Sequence, residues 1–201
     1  MNLPTKITVV RLILTVFILF LIWDPLYSYL GFNFPQYSFN GVIVHLNYLI
    51  AGVIFIIASL TDWLDGYLAR KNNQVTDLGK MLDAIADKVL VSPVLIALAA
   101  NGYIPSVIPV IYITRDIVVD AIKMQAASRG KVQAAIKSGK YKTAFMMVGI
   151  CLVFFYNIPF VFFNIRVDLG LLYLACILAV VSAIQYYRIN KGVFSKDSET
   201  L

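Results

Sequence analysis

The chain has 201 residues, 60% of them hydrophobic, with a mean hydropathy of +0.81 and a formal net charge of +6. A soluble domain is about half apolar. Here the excess falls in long runs separated by short polar pieces, which argues against a soluble globular domain and for an all-α integral membrane protein with several spans. The basic excess is read as membrane topology and as affinity for anionic lipids or substrates, with no nucleic-acid partner.

In chain order, the opening stretch "MNLPTKITVV" lacks the charged start and small-residue cleavage site of a removable signal peptide. Six membrane helices are expected, at about 9–23, 41–60, 78–100, 105–127, 143–156 and 169–187. They make one membrane domain over 1–190, followed by a polar tail over 191–201. The connections 24–40 and 101–105 contain no Lys or Arg, and 157–168 contains only Arg166. The other sixteen of the 17 basic residues belong to the opposite half. By the positive-inside rule both termini and the 2–3 and 4–5 connections face the cytoplasm, in a multi-pass protein of the cell membrane.

The second run ends in "TDWLDGYLAR" (61–70), and the third opens within "KNNQVTDLGKMLDAIADKVL" (71–90). Asp62 and Asp65 are three apart, Asp83 and Asp87 four apart, and both spacings put side chains on one helix face. The short connection makes these two helices expected antiparallel neighbours, so the acidic faces meet. Four carboxylates in a low-dielectric site cannot all ionise without compensation. An all-oxygen donor set suits two Mg²⁺ or Mn²⁺ ions, which could clamp a phosphoryl centre. The bland alternative is a set of solvated interfacial acids paired with Arg70, Lys71, Lys80 and Lys88. Intramembrane acids are costly, which weighs against it. The small residues Gly66, Ala69 and Gly79, each a turn from an aspartate, either admit a bulky group or serve helix packing.

These positions resemble the signature of the CDP-alcohol phosphatidyltransferase family, D-x-x-D-G-x-x-A-R, eight residues, then G-x-x-x-D-x-x-x-D. Asp62, Asp65, Gly66, Ala69, Arg70, Gly79, Asp83 and Asp87 match it without a departure in spacing. The resemblance implies six membrane helices, a site open to the cytoplasm, and transfer of a phosphatidyl group from a CDP-activated lipid to an alcohol with release of CMP. It implies Asp62, Asp65 and Asp83 as metal ligands. Asp87 would help hold the second ion and deprotonate the attacking hydroxyl. Gly66, Ala69, Arg70 and Gly79 would surround the CDP moiety. The resemblance also allows a homodimer.

The stretch "ITRDIVVDAIKMQAASRGKVQAAIKSGKYKT" (113–143) bears on the acceptor. Arg115 within a membrane helix needs a partner or a task. Asp116 and Asp120 are near enough in sequence to pair with it. The basic connection beyond is a positive-inside loop, of which a subset can form an anion pocket. Arg115-Asp116, "SRGKV" and "GKYKT" are similar to the phosphatidylglycerophosphate synthase branch, with Asp116 where Glu is usual. Asn2, Pro4, Thr8 and Arg11 match its N-terminal pattern, with Thr5 where Asn is usual. This branch implies CDP-diacylglycerol as donor, sn-glycerol 3-phosphate as acceptor and membrane lipids as surroundings. Arg115 and Lys140 are the first candidates for the acceptor phosphate, then Arg129 and Lys142. Thr8 and Arg11 are expected beside the substrate, and for Arg11 a plain anchoring role stays open. Alternatives are the same chemistry with phosphatidylglycerol, serine or inositol phosphate as acceptor, a divalent-cation carrier, and a non-catalytic scaffold that retains the metal site. Cys151 and Cys176 are read as buried thiols, His45 as no ligand, and the aromatics of "YSYLGFNFPQYSF" and "FFYNIPFVFF" as interface belts.

Overall fold

The computed structural model describes residues 3–31, 34–39, 41–71, 77–129 and 136–194; the side chains of 3–6, 25, 26, 28, 39, 62–71, 77–84 and 192–194 are not among the described groups. Among these residues the order is α1 (Leu3–Ile22), α2 (Asp24–Leu30), β1 (Gln36–Phe39), β2 (Val42–His45), α3 (Leu46–Lys71), α4 (Asp77–Ala100), α5 (Val107–Ser128), α6 (Lys137–Phe154) and α7 (Val167–Phe194). The chain is mostly helical, as expected. Six of the helices are long, and they correspond one to one with the six apolar runs.

On α1, Thr8, Arg11, Thr15, Ile18 and Ile22 recur at three- and four-residue spacing and are all buried. Val10, Ile13, Phe17 and Phe20 face outward. The inward stripe is therefore polar in its first half and apolar in its second. After α1, the short α2 places Pro25 in its first turn, where its missing N–H costs nothing, and stops at Gly31, whose φ of +70° lets its N–H return to the Tyr27 carbonyl.

The run expected to be helical from residue 41 begins instead as a strand. Val42–His45 pairs antiparallel with Gln36–Phe39, Phe39 opposite Val42 and Gln36 opposite His45. The register leaves two residues for the turn, and Gly41 at φ +83° supplies the positive φ such a turn needs. Three β-branched residues in succession favour the extended form, and pairing satisfies the backbone before α3 starts at Leu46. His45, expected inside a span, is thus the last residue of β2; its N–H donates to the Tyr156 hydroxyl at 2.9 Å. At the other boundary, α6 starts at Lys137, six residues before the apolar run. Hydropathy marks only the greasy part of a helix whose first turns are polar.

Neighbouring helices pack in a way the connection lengths do not predict. α1 packs along both α3 and α4, α7 along both α5 and α6, and α3 also touches α6. α1 thus lies along each of the two acid-bearing helices. The expectation that the acidic faces of these two helices meet falls on side chains that, Asp87 apart, are outside the described residues. Lipid tails are as apolar as leucine, so helices in a bilayer associate through close packing and hydrogen bonds rather than hydrophobic expulsion. The contacts fit that rule. A β-carbon added to Gly52 would lie 2.8 Å from Phe154 Cβ, and one added to Gly149 would lie 2.7 Å from Leu172 Cδ2. Ala51, Ala58, Ala175 and Ala179 are fully buried.

Large apolar residues cover the outside of the helices, including Ile13, Ile57, Ile96, Ile117, Val148 and Ile177. So extensive an apolar surface suits hydrocarbon better than water. Among the described residues, the stretch Val167–Lys191 of α7, with mean hydropathy 2.4, is long and apolar enough to cross a membrane by itself; Ile7–Ile22 and Leu46–Thr61 are shorter apolar segments.

Candidate functional site

The six long helices alternate in direction, so one end of the bundle gathers the start of α1, the end of α3, the start of α4, the second half of α5, the start of α6 and the second half of α7. The predicted site residues lie toward this end, except Arg115, which sits near the middle of α5. Asp62, Asp65, Gly66, Ala69 and Arg70 fall within α3, and Gly79, Asp83 and Asp87 within α4. Of these, only the Asp87 side chain is among the described groups. The other seven side chains, including three of the four expected metal ligands, lie outside them. Among the described residues no three His, Cys, Asp or Glu side chains cluster to hold a metal.

Asp87 is half-buried, and its charge acts on Lys142 and Tyr112. The acid of α4 is therefore within electrostatic range of the polar groups of α5 and α6. Thr8 is 3% exposed and Arg11 fully buried, both on the polar half of the α1 stripe. An anchoring role for Arg11 at the lipid surface is thereby set aside: its guanidinium is inside the protein, on the helix that packs along both acid-bearing ones.

The second cluster is described in full. Asp116 lies at its centre. Its Oδ1 accepts from Arg115 Nη1 at 2.7 Å and from Lys142 Nζ at 2.7 Å. Adjacent residues on a helix do not normally face each other, but the long arginine side chain reaches back to its neighbour. Lys142 is 3% exposed, and its ammonium stands 3.9 Å from the centre of the Tyr112 ring. A buried cation over an aromatic face recovers part of its lost hydration. α7 contributes Ser182, which is fully buried. Its Oγ accepts from Arg115 Nε at 3.1 Å and Nη2 at 2.6 Å, and Nε also reaches the Ala179 carbonyl at 3.3 Å. Gly139 on α6 borders the same group; an added methyl would lie 3.6 Å from Arg115 Nη2.

The start of α6 is pinned to α7 as well. The Ile136 N–H donates to the Tyr186 hydroxyl at 3.2 Å, and the Ser138 hydroxyl to Gln185 Oε1 at 2.7 Å. These bonds fix the turns that carry Lys140 and Lys142. A helix places residues two apart on different faces. Lys142 accordingly enters the cluster, and Lys140 is exposed to the surroundings. Arg129 is half-buried at the C-terminal cap of α5. Lys88 and Asp120 form an exposed ion pair that ties α4 to α5.

Two cations thus share one carboxylate in a largely buried position, leaving one positive charge in excess among the three. Burying charge is costly unless it is paired. The arrangement suits an arriving anion, and two donors reaching the same carboxylate oxygen from α5 and α6 are close enough to meet one phosphate group. Ser182, Tyr112 and Tyr186 were not predicted. A single serine in the run "ILAVVSAIQYY" and isolated tyrosines among apolar residues form no pattern that could have flagged them.

Comparison with known proteins gives a consistent result. The family model for CDP-alcohol phosphatidyltransferase matches residues 1–185. A Bacillus subtilis protein named CDP-diacylglycerol–glycerol-3-phosphate 3-phosphatidyltransferase is 34% identical over 189 residues, covering 94% of this chain and 95% of the relative. A Haemophilus influenzae protein of the same name is 34% identical over 199 residues, 95% of this chain and 94% of the relative. One from Mycoplasma genitalium is 44% identical over 110 residues, 55% of this chain and 47% of the relative.

Proposed function

We propose, from the premise that this chain belongs to the CDP-alcohol phosphatidyltransferase family, that it transfers a phosphatidyl group from CDP-diacylglycerol to sn-glycerol 3-phosphate. The products are phosphatidylglycerol phosphate and CMP. The protein spans the membrane six times, with both termini and the site on the cytoplasmic side, as the distribution of basic residues argues.

The observation that carries the acceptor assignment is the Arg115–Asp116–Lys142 cluster, whose net positive charge lies within electrostatic reach of Asp87. An acceptor that already bears a phosphate needs such a receptor; an uncharged alcohol does not. Lys142 and Arg115 grip the phosphate, and Lys140 and Arg129 lie farther out. Asp87 takes the proton from the C1 hydroxyl. That oxygen bonds to the β-phosphorus of the donor, the pyrophosphate bond breaks and CMP departs with the bridging oxygen. Thr8, Gly66, Ala69, Arg70 and Gly79 surround the CDP moiety. Asp62, Asp65, Asp83 and Asp87 form a hard, all-oxygen donor set that fits Mg²⁺ or Mn²⁺. Two such ions, when bound, would neutralise the pyrophosphate and polarise the phosphorus under attack.

The test is CMP release by purified protein given CDP-diacylglycerol, Mg²⁺ or Mn²⁺ and a panel of acceptors, with the lipid product identified by mass spectrometry. Phosphatidylglycerol phosphate from glycerol 3-phosphate is the expected product. Preference for serine, inositol phosphate or phosphatidylglycerol would reassign the acceptor, and no CMP from any of them would remove the enzymatic reading.

A further inference from the structure

Among the described hydrogen bonds, those of the Arg115 guanidinium show a division of labour. One side of the group, Nε and Nη2, is held by Ser182 Oγ, with the Ala179 carbonyl also accepting from Nε. The other terminal nitrogen, Nη1, is held by Asp116. The Ser182 hydroxyl spends its own proton on the Ala179 carbonyl at 2.8 Å, so both N–H bonds from Arg115 fall on oxygen lone pairs. A guanidinium carries five N–H donors in a fixed plane. Bonds on both sides set that plane and its rotation. Among the described residues they engage Nε and one N–H on each terminal nitrogen, so one N–H on each terminal nitrogen is not taken up by a described group. Lys142 Nζ, held by the same Asp116 Oδ1, lies no farther from Arg115 Nη1 than twice their 2.7 Å bonds to that oxygen.

Nothing in the packing of α7 requires a serine here. Its neighbours on the inward stripe, Ala175 and Ala179, are fully buried alanines that serve close approach alone. The hydroxyl is an addition to that stripe, and it meets the guanidinium of Arg115, while Lys123, the other cation that α5 sends toward α7, lies over the Tyr186 ring at 5.0 Å.

We infer that Ser182, on the last helix, is a positioning residue: it orients Arg115 so that this guanidinium and Lys142, spaced by Asp116, present their remaining N–H donors together to the phosphate of the acceptor. This rests on the acceptor reading proposed above and extends it to a helix that carries none of the family's signature residues. Specificity for a phosphorylated alcohol is then built from three helices, with α5 and α6 supplying charge and α7 supplying its direction. Without the hydroxyl, Arg115 keeps its charge and its bond to Asp116 but loses a fixed plane. Weaker acceptor binding follows, while donor binding is untouched.

The experiment measures CMP release by the full-length protein in mixed micelles, varying glycerol 3-phosphate and CDP-diacylglycerol separately, for the wild type, Ser182→Ala, Ser182→Thr and Arg115→Ala. Removing hydrogen bonds to a charged group should raise the KM for glycerol 3-phosphate about tenfold in Ser182→Ala. The KM for CDP-diacylglycerol should stay within about twofold, and Ser182→Thr, which keeps the hydroxyl, should fall near the wild type. Should Ser182→Ala not fold, Ser182→Cys, similar in size but a weak acceptor, is read in its place. If Arg115→Ala raises the acceptor KM and Ser182→Ala does not, the positioning role is overturned and the acceptor site stands. An equal rise in both KM values with a lower melting temperature also overturns it, because it marks Ser182 as structural. An unchanged acceptor KM in Arg115→Ala overturns the acceptor reading and this inference with it.

Discussion

The two ends of the bundle bury polar groups in opposite ways. At the end away from the acids, the Tyr48 hydroxyl donates to Asp24 Oδ2 at 2.8 Å, and Asn101 Nδ2 donates to the Tyr48 oxygen and to the Ile22 carbonyl, each at 2.7 Å. The rings of Tyr48, Tyr103 and Tyr156 pack on one another at 4.5–6.5 Å. Asn47 Nδ2 reaches the Leu21 carbonyl at 2.9 Å, and Asn157 joins the Ile165 carbonyl to the Asp168 N–H. One helix end answers another there, mostly through neutral groups. At the acid-bearing end, two cations share one carboxylate and a serine holds one of them in place. A hydrogen-bond network that joins one helix end to another is a fastener. A buried trio that carries one net positive charge is, on the function proposed above, the receptor for an anion.

This contrast predicts that substitutions at one end change turnover and at the other change stability. The largest effect is expected from Asp87→Asn. Loss of the proposed general base should lower CMP release by about 10²–10⁴-fold. Expression and helicity by circular dichroism should be kept. Next is Asp116→Ala, which leaves two mostly buried cations without their shared partner. Breaking such a pair should cost about 3–5 kcal/mol, read as a lower melting temperature in detergent. Gly149→Ala forces a methyl against Leu172 and should cost about 1–3 kcal/mol by the same measurement. Tyr48→Phe, at the opposite end, should cost about 1–2 kcal/mol and leave both KM values within about twofold. An acceptor KM that moved with Tyr48→Phe would erase the distinction between the two ends.

How far the sequence foretold this arrangement differs by residue. The six long helices were legible because helical spacing and apolar run length are local properties; of the signature octet, only the Asp87 side chain is among the described groups. The cationic stretch was also legible, yet the choice within it was not. Lys140 and Lys142 are equivalent by composition, and only the attachment of α6 to α7 through Ile136 and Ser138 turns Lys142 inward. The hairpin at 36–45 had a signal in the Asn40-Gly41 pair, but the apolar run from Val42 hid it, since a short β-branched run reads equally as strand or buried helix. The position of α1 along both α3 and α4 is a tertiary fact that connection lengths do not encode. Ser182 was illegible for the same reason: one serine in an apolar helix has meaning only beside the arginine it meets.

The central claim is that the acid-bearing end holds a receptor for a phosphorylated acceptor, and thermal unfolding with and without that acceptor tests it most directly. A ligand that binds only the folded protein stabilises it by about 2.7 kcal/mol at a hundredfold excess over Kd. Glycerol 3-phosphate should therefore raise the melting temperature of the wild type, glycerol should not, and Lys142→Met should abolish the rise. No rise in the wild type, or an equal rise in Lys142→Met, would contradict the account.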